Sequence, residues 1–176
     1  RRKGIARINN TDQSNAQCAL VLTDSVGAVI CRGETISLRT ILMLAAALRL
    51  WGLDQNGWGA EYYTAAVRSM AMNWHNFFYA AFDPAGFISI DKPPVAFWFQ
   101  VLSVKLFGFH PLSVLLPQAL MGVGSVWLLY HLVRRRFSAL AALLAALFLA
   151  ITPIWVAVNR TNNTDTCLLL VLLLAA

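Results

Sequence analysis

Charge is scarce in this sequence. Asp, Glu, Lys and Arg make up 12% of its 176 residues, roughly half the share in an ordinary soluble domain. That is too little to solvate the surface of a chain that is 59% hydrophobic. Acids are scarcer still, eight in all, with none between Asp91 and Asp165, so polar chemistry is confined to the few segments that carry them. Cys18, Cys31 and Cys167 show no metal-ligand spacing and read as structural. The formal charge of +6 does not imply nucleic acid, because the basic residues are not interleaved with solvent-facing aromatics. Arg134, Arg135 and Arg136 directly follow an apolar run, which is the positive-inside pattern of a membrane protein.

What is abundant is apolar sequence in runs near spanning length, so the bilayer is the expected solvent. The expected fold is all-α and polytopic, with spans at about 36–53, 112–133, 139–158 and 166–176 in a membrane domain covering 36–176. Residues 1–35 form an N-terminal segment of unassigned role, whose apolar stretch Cys18 to Cys31 is too short and too polar to span. Arg39 and Arg49, near opposite ends of the first span, are placed to snorkel. The first residue is Arg1, and the last apolar run, Cys167 to Ala176, holds ten residues where a span needs roughly 20. The chain therefore reads as the amino-terminal piece of a larger polytopic protein.

Between the first two spans lies a long loop, 54–110, rich in Trp58, Tyr62, Tyr63, Trp74, Phe77, Phe78 and Tyr79. That is the composition of an interfacial belt. Apolar residues at Tyr63, Val67, Met70 and Trp74 fit a helix lying along the membrane surface over Glu61 to Trp74. The segment Val95 to Phe109 is apolar but broken by Gln100 and Lys105, and it is either a short span or a second surface helix. If it spans, Asp165 ends opposite Asp91. If it lies on the surface, the arginine triplet joins the basic N-terminus on one side, and the loops bearing Asp91 and Asp165 meet on the other. The second case obeys the positive-inside rule.

Two local patterns carry chemistry. In ISIDKPPVAF, Pro93 and Pro94 remove two backbone donors and hold Lys92 extended, so an acid and a base stand at a rigid corner where a helix begins. Asp91 and Lys92 equally fit solvated interface residues. In NRTNNTDT, Asp165 opens an apolar helix, and capping that helix with the help of Thr164 is an alternative to a functional role. The functional reading gains from the convergence of Glu61, Asp91, Lys92, Arg160 and Asp165 on one expected face.

The order WGLDQNGWGAEYYTAAV, FISIDKPPVAFWFQVLSVKLFG, PQALMGVGSVWLLYHLVRRRF and VNRTNNTDTCLLLVLLL resembles the amino-terminal part of family 39 glycosyltransferases. These are relatives of the protein O-mannosyltransferases and the lipid A aminoarabinose transferases. The resemblance covers roughly residues 40–176, and its most specific element is the acid-Lys-Pro-Pro corner. It implies inverting transfer of a sugar from a polyprenyl-phosphate donor to a lipid, glycan or protein acceptor, on the external face of a bacterial plasma membrane. The family usually carries an Asp-Glu pair after its first span, its Asp regarded as catalytic; here the dipeptide is Ala60-Glu61. By resemblance Asp91 and Glu61 are the candidate catalytic bases, and Lys92 and Arg160 the candidate donor-phosphate ligands. A divalent metal held by Asp165 with Asp91 is a weaker alternative. Two other classes stay open: a catalytically inactive lipid-binding relative, favoured by Ala60, and a membrane transporter, disfavoured because the acids fall in loops rather than inside spans.

Overall fold

The structure is a computed structural model and describes residues 34–176. The expectations for Cys18 to Cys31 and the rest of the N-terminal segment lie outside the described residues. From Thr40 onward the chain forms one compact unit, and all packing below lies within it.

The described chain is all-helical, with one isolated bridge, Ala81 to Ser89, as its only extended pairing. Helix α1 covers 34–50. It stops at Gly52, whose φ of 58° is a left-handed conformation that costs glycine little. A 3₁₀ turn, Leu53–Asn56, buries Leu53 against Leu115 and Ala119. The surface helix expected over Glu61 to Trp74 is two helices, α2 (Glu61–Met70) and α3 (Trp74–Tyr79). The break is set by Asn73, whose side chain accepts from the Asn76 N–H at 2.8 Å and so starts a new helix. Then come α4 (Val95–Phe107), α5 (Pro111–Arg136), α6 (Ala139–Ile151), α7 (Pro153–Asn159) and α8 (Asp165–Ala175).

α5 is the one described helix that is by itself long and apolar enough to cross a membrane. Its 26 residues extend about 39 Å at 1.5 Å per residue. The expected span 139–158 is instead a broken pair, α6 and α7, bent by 62°. Pro153 is the reason, because its ring supplies no N–H to the turn before it. α4, at 13 residues, reaches only about 20 Å, short of a hydrocarbon core of about 30 Å.

The core that positions the loops is apolar and local. Ala66, Val67 and Met70 of α2 pack with Phe97, Val101 and Val104 of α4, closed by Ala80, Ile90 and Val114. The spacing 66, 67, 70 and 97, 101, 104 puts each set on one helical face, which is what lets α2 lie along α4.

Candidate functional site

The acid-base corner is presented by a short hairpin-like loop. Phe82 N–H donates to the Ile88 carbonyl at 2.7 Å, and Ile90 N–H to that of Ala80 at 2.9 Å. At its tip the Asp83 carboxylate accepts from the N–H groups of Ile88 (2.7 Å) and Phe87 (3.2 Å). The bond from Ile88 is the largest effect and, with the lesser one from Phe87, holds its pKa below the usual carboxylate value against the opposing effect of desolvation. From inside, Asn76 of α3 donates to the Pro84 carbonyl at 3.0 Å. Ile90 is buried, so Asp91 leaves the loop at a fixed point and Pro93 and Pro94 turn the chain into α4.

Asp91 is exposed and Lys92 half-buried. Lys92 lines a cavity of about 320 Å³ together with Thr164 and Asp165, so the corner and the second loop contribute to one space. The polar groups come from the starts of α4 and α8. The other walls, including Val95, Ala96, Leu168 and Val171, are apolar. A cation, a carboxylate and a hydroxyl at one end of an apolar slot suit a ligand with an ionic head and a hydrocarbon body.

The two loops are also tied directly, by a residue that sequence reasoning missed. Asn162 is fully buried. Its Oδ1 accepts from Ala60 N–H at 2.7 Å, and its Nδ2 donates to the Ala60 carbonyl at 3.1 Å and to Thr64 Oγ1 at 2.9 Å. α2 has no cap of its own at Ala60, and Asn162 supplies one from about a hundred residues away. Gly59 stands at φ 67° and a Cβ there would lie 2.8 Å from Asn162 Oδ1, so both the turn and the approach require glycine.

Glu61, at the start of α2, is exposed, where the helix N-terminus favours a carboxylate. It does not line the cavity of Lys92 and Asp165. Arg160 is occupied elsewhere: Nη1 donates to the carbonyls of Leu48 (3.0 Å) and Trp51 (2.7 Å), and Nη2 to that of Gly52 (3.1 Å) and to Asn56 Oδ1 (3.4 Å). These are the carbonyls that α1 leaves open at its C-terminus. Arg160 therefore caps α1 and does not line the cavity of Lys92 and Asp165. Among the described residues no three His, Cys, Asp or Glu side chains converge on a point where a metal ion fits. Asp165 Oδ2 instead accepts from Asn163 Nδ2 at 3.0 Å. The donor set does not fit the metal weighed for Asp165 with Asp91.

Residues 91–176 match the protein family described as dolichyl-phosphate-mannose-protein mannosyltransferase. The chain is 52% identical over 136 residues to "Putative mannosyltransferase YycA" of Bacillus subtilis (strain 168), covering 77% of this chain and 20% of that protein. It is 51% identical over 140 residues to "Putative mannosyltransferase YkcB" of the same organism, covering 80% of this chain and 20% of that protein. Over most of its length the chain is thus similar to proteins named as mannosyltransferases. It spans about a fifth of the length of these curated relatives. No solved structure matches it. The family match begins at Asp91, so it takes in the corner, the cavity and the Asn162 loop, while Ala60 and Glu61 precede it.

Proposed function

We propose that the intact protein is a membrane glycosyltransferase. It moves a sugar from a polyprenyl-phosphate donor to a hydroxyl of a protein, lipid or glycan acceptor, with inversion, at the external face of a bacterial plasma membrane. The observation that carries this reading is the cavity shared by Lys92 and Asp165, ionic at one end and apolar along its walls. A lipid-linked sugar phosphate has the same two-part chemistry, and its phosphate arrives at headgroup depth. The names of the relatives make mannose the first sugar to test.

In this scheme the acceptor oxygen attacks the anomeric carbon as the carbon–oxygen bond to phosphate breaks. Its proton passes to a carboxylate, and the departing polyprenyl phosphate keeps the bonding electron pair. Asp91 is the base of first choice, since it adjoins Lys92 at the proline-held corner, and Glu61 is the second. The Lys92 ammonium offsets the charge that grows on the leaving phosphate. Asp165 lines the same cavity as Lys92. No step runs through a metal.

Contacts between the two loops support the topology of this reading. Ala60 and Asn162 are hydrogen-bonded, so the chain between them crosses the membrane an even number of times. With α5 and the broken pair α6–α7 as two crossings, this supports α4 as the surface helix.

The test is release of polyprenyl phosphate by the intact protein in membranes supplied with a panel of lipid-linked sugars. Asp91→Asn should lower turnover by about 10² to 10⁴, while Lys92→Ala should mainly raise the donor KM. Wild-type turnover by well-folded Asp91→Asn protein would remove Asp91 as the base. Ala60, standing where the family usually has an acid, favours a second reading as an inactive lipid-binding relative. That reading predicts no release from any donor by the wild-type protein.

A further inference from the structure

We propose that Arg49 is a positioning residue, a buried guanidinium that holds the helix break at Pro153 and so sets where the loop carrying Asn162 and Asp165 comes to rest. Only the link from loop position to turnover rests on the glycosyltransferase reading.

The break leaves backbone carbonyls without donors. Pro153 has no N–H for the Leu149 carbonyl, and the 62° bend turns the following turn away from that of Ala150. In an apolar surrounding, carbonyls so released need a partner. Arg49 supplies it: Nη2 donates to Leu149 O at 3.2 Å, and Nη1 to Ala150 O at 3.0 Å, with a third bond from Nη1 to Ala45 O of its own helix at 3.2 Å. The side chain is completely buried, so this arginine does not snorkel as its place near a helix end suggests. Its charge faces the negative end of α6, the favourable pole for a cation.

A glycine makes the space. A Cβ at Gly122 of α5 would lie 3.0 Å from Arg49 Nε and would collide with Asn159 Oδ1. Asn159 is fully buried, and its Nδ2 donates to the Trp155 carbonyl. Arg49 Nε and Asn159 Oδ1, both without hydrogen-bond partners, thus face the same gap over the α5 backbone. Arg160 completes the arrangement from the other side by capping the end of α1. Arg160, at the end of α7, caps the helix of Arg49, while Arg49 caps α6 at the break that starts α7. α7 runs from the break that Arg49 caps to Arg160, and three residues after its end Asn162 meets α2.

Lysine does not replace this fork, because a single ammonium offers no planar pair of donors for two successive carbonyls. The reporter is Cys167, 5% exposed in the wall of the shared cavity. In the intact protein in membranes, with every other cysteine replaced by serine, Arg49→Gln should speed labelling of Cys167 by N-ethylmaleimide on the order of tenfold, through local opening. Pro153→Ala restores an N–H for Leu149 O. In that background the same Arg49→Gln change should accelerate labelling by less than about threefold, because residues acting through one contact are not additive. An equal factor in both backgrounds, or no acceleration in either, would overturn the proposal. Arg49→Lys should insert normally and lower kcat at unchanged donor KM; unchanged kcat would overturn the link to turnover. The labelling reads no sugar transfer, so its failure is distinct from failure of the proposed activity.

Discussion

Both ends of the Asn162 amide are engaged by the start of α2, so the geometry around Glu61 depends on a residue of the other loop. That bears on Ala60, whose backbone N–H and carbonyl are the groups Asn162 holds. If the site is built for a carboxylate at this turn, Glu61→Gln should lower turnover by about 10² or more, and Ala60→Asp should match or exceed the wild type. Both are read as polyprenyl phosphate release. Full activity in Glu61→Gln with no change in Ala60→Asp would leave Asp91 as the only base in the first loop. At this scale legibility tracked charge. Asp91, Lys92 and Asp165 stood out because ionic groups are rare in an apolar chain, and the structure brings Lys92 and Asp165 to one cavity. Asn162 carried no such mark, since its partners lie about a hundred residues away and nothing local announces a buried amide. The capping contacts of Arg49 and Arg160 were illegible for the same reason: the carbonyls they cap belong to distant helices.

Helix breaks, rather than helices, place the functional loops. Periodicity and hydropathy located α5 and the start of α8 to within a few residues, but the reading of 139–158 as one span passed over Pro153, and that of 61–74 as one helix passed over the capping Asn73. Two glycines of α5 test the packing at the first break. Gly122→Ala should destabilise the protein by about 1–3 kcal/mol through overpacking against Asn159. Gly124→Ala, whose Cβ would meet nothing nearer than Leu170 Cδ1 at 3.8 Å, should be neutral or gain up to about 1 kcal/mol of helix propensity. Thermal unfolding of the intact protein in detergent compares them, and equal effects would contradict the close approach. The hairpin loop has a pH signature. Because the folded-state pKa of Asp83 is depressed, its contribution is present above the unfolded value near 4 and is lost as pH falls through the lower folded value. Protease sensitivity of the 82–90 loop should therefore rise on acidification below about pH 4, and Asp83→Asn should make the loop sensitive at neutral pH with little further change. A flat wild-type profile would show that the carboxylate does not hold the turn.

Over the whole molecule, one interface decides the account: the start of α2 and the Lys92 corner against the loop between α7 and α8. The all-helical class was legible from composition, because a chain so poor in charge and rich in apolar runs satisfies its backbone in lipid by forming helices. Sidedness was legible only as a choice between two cases for Val95 to Phe109. The bonds between Ala60 and Asn162 favour the case in which α4 stays on the surface and the arginine triplet lies at the far end of α5. Labelling intact cells with an impermeant thiol reagent tests this most directly. Cysteines introduced singly as Ser89→Cys and Thr161→Cys should both be labelled from outside, and Ser138→Cys should not. Opposite labelling at positions 89 and 161 would place the two loops on different sides of the membrane and contradict a shared site.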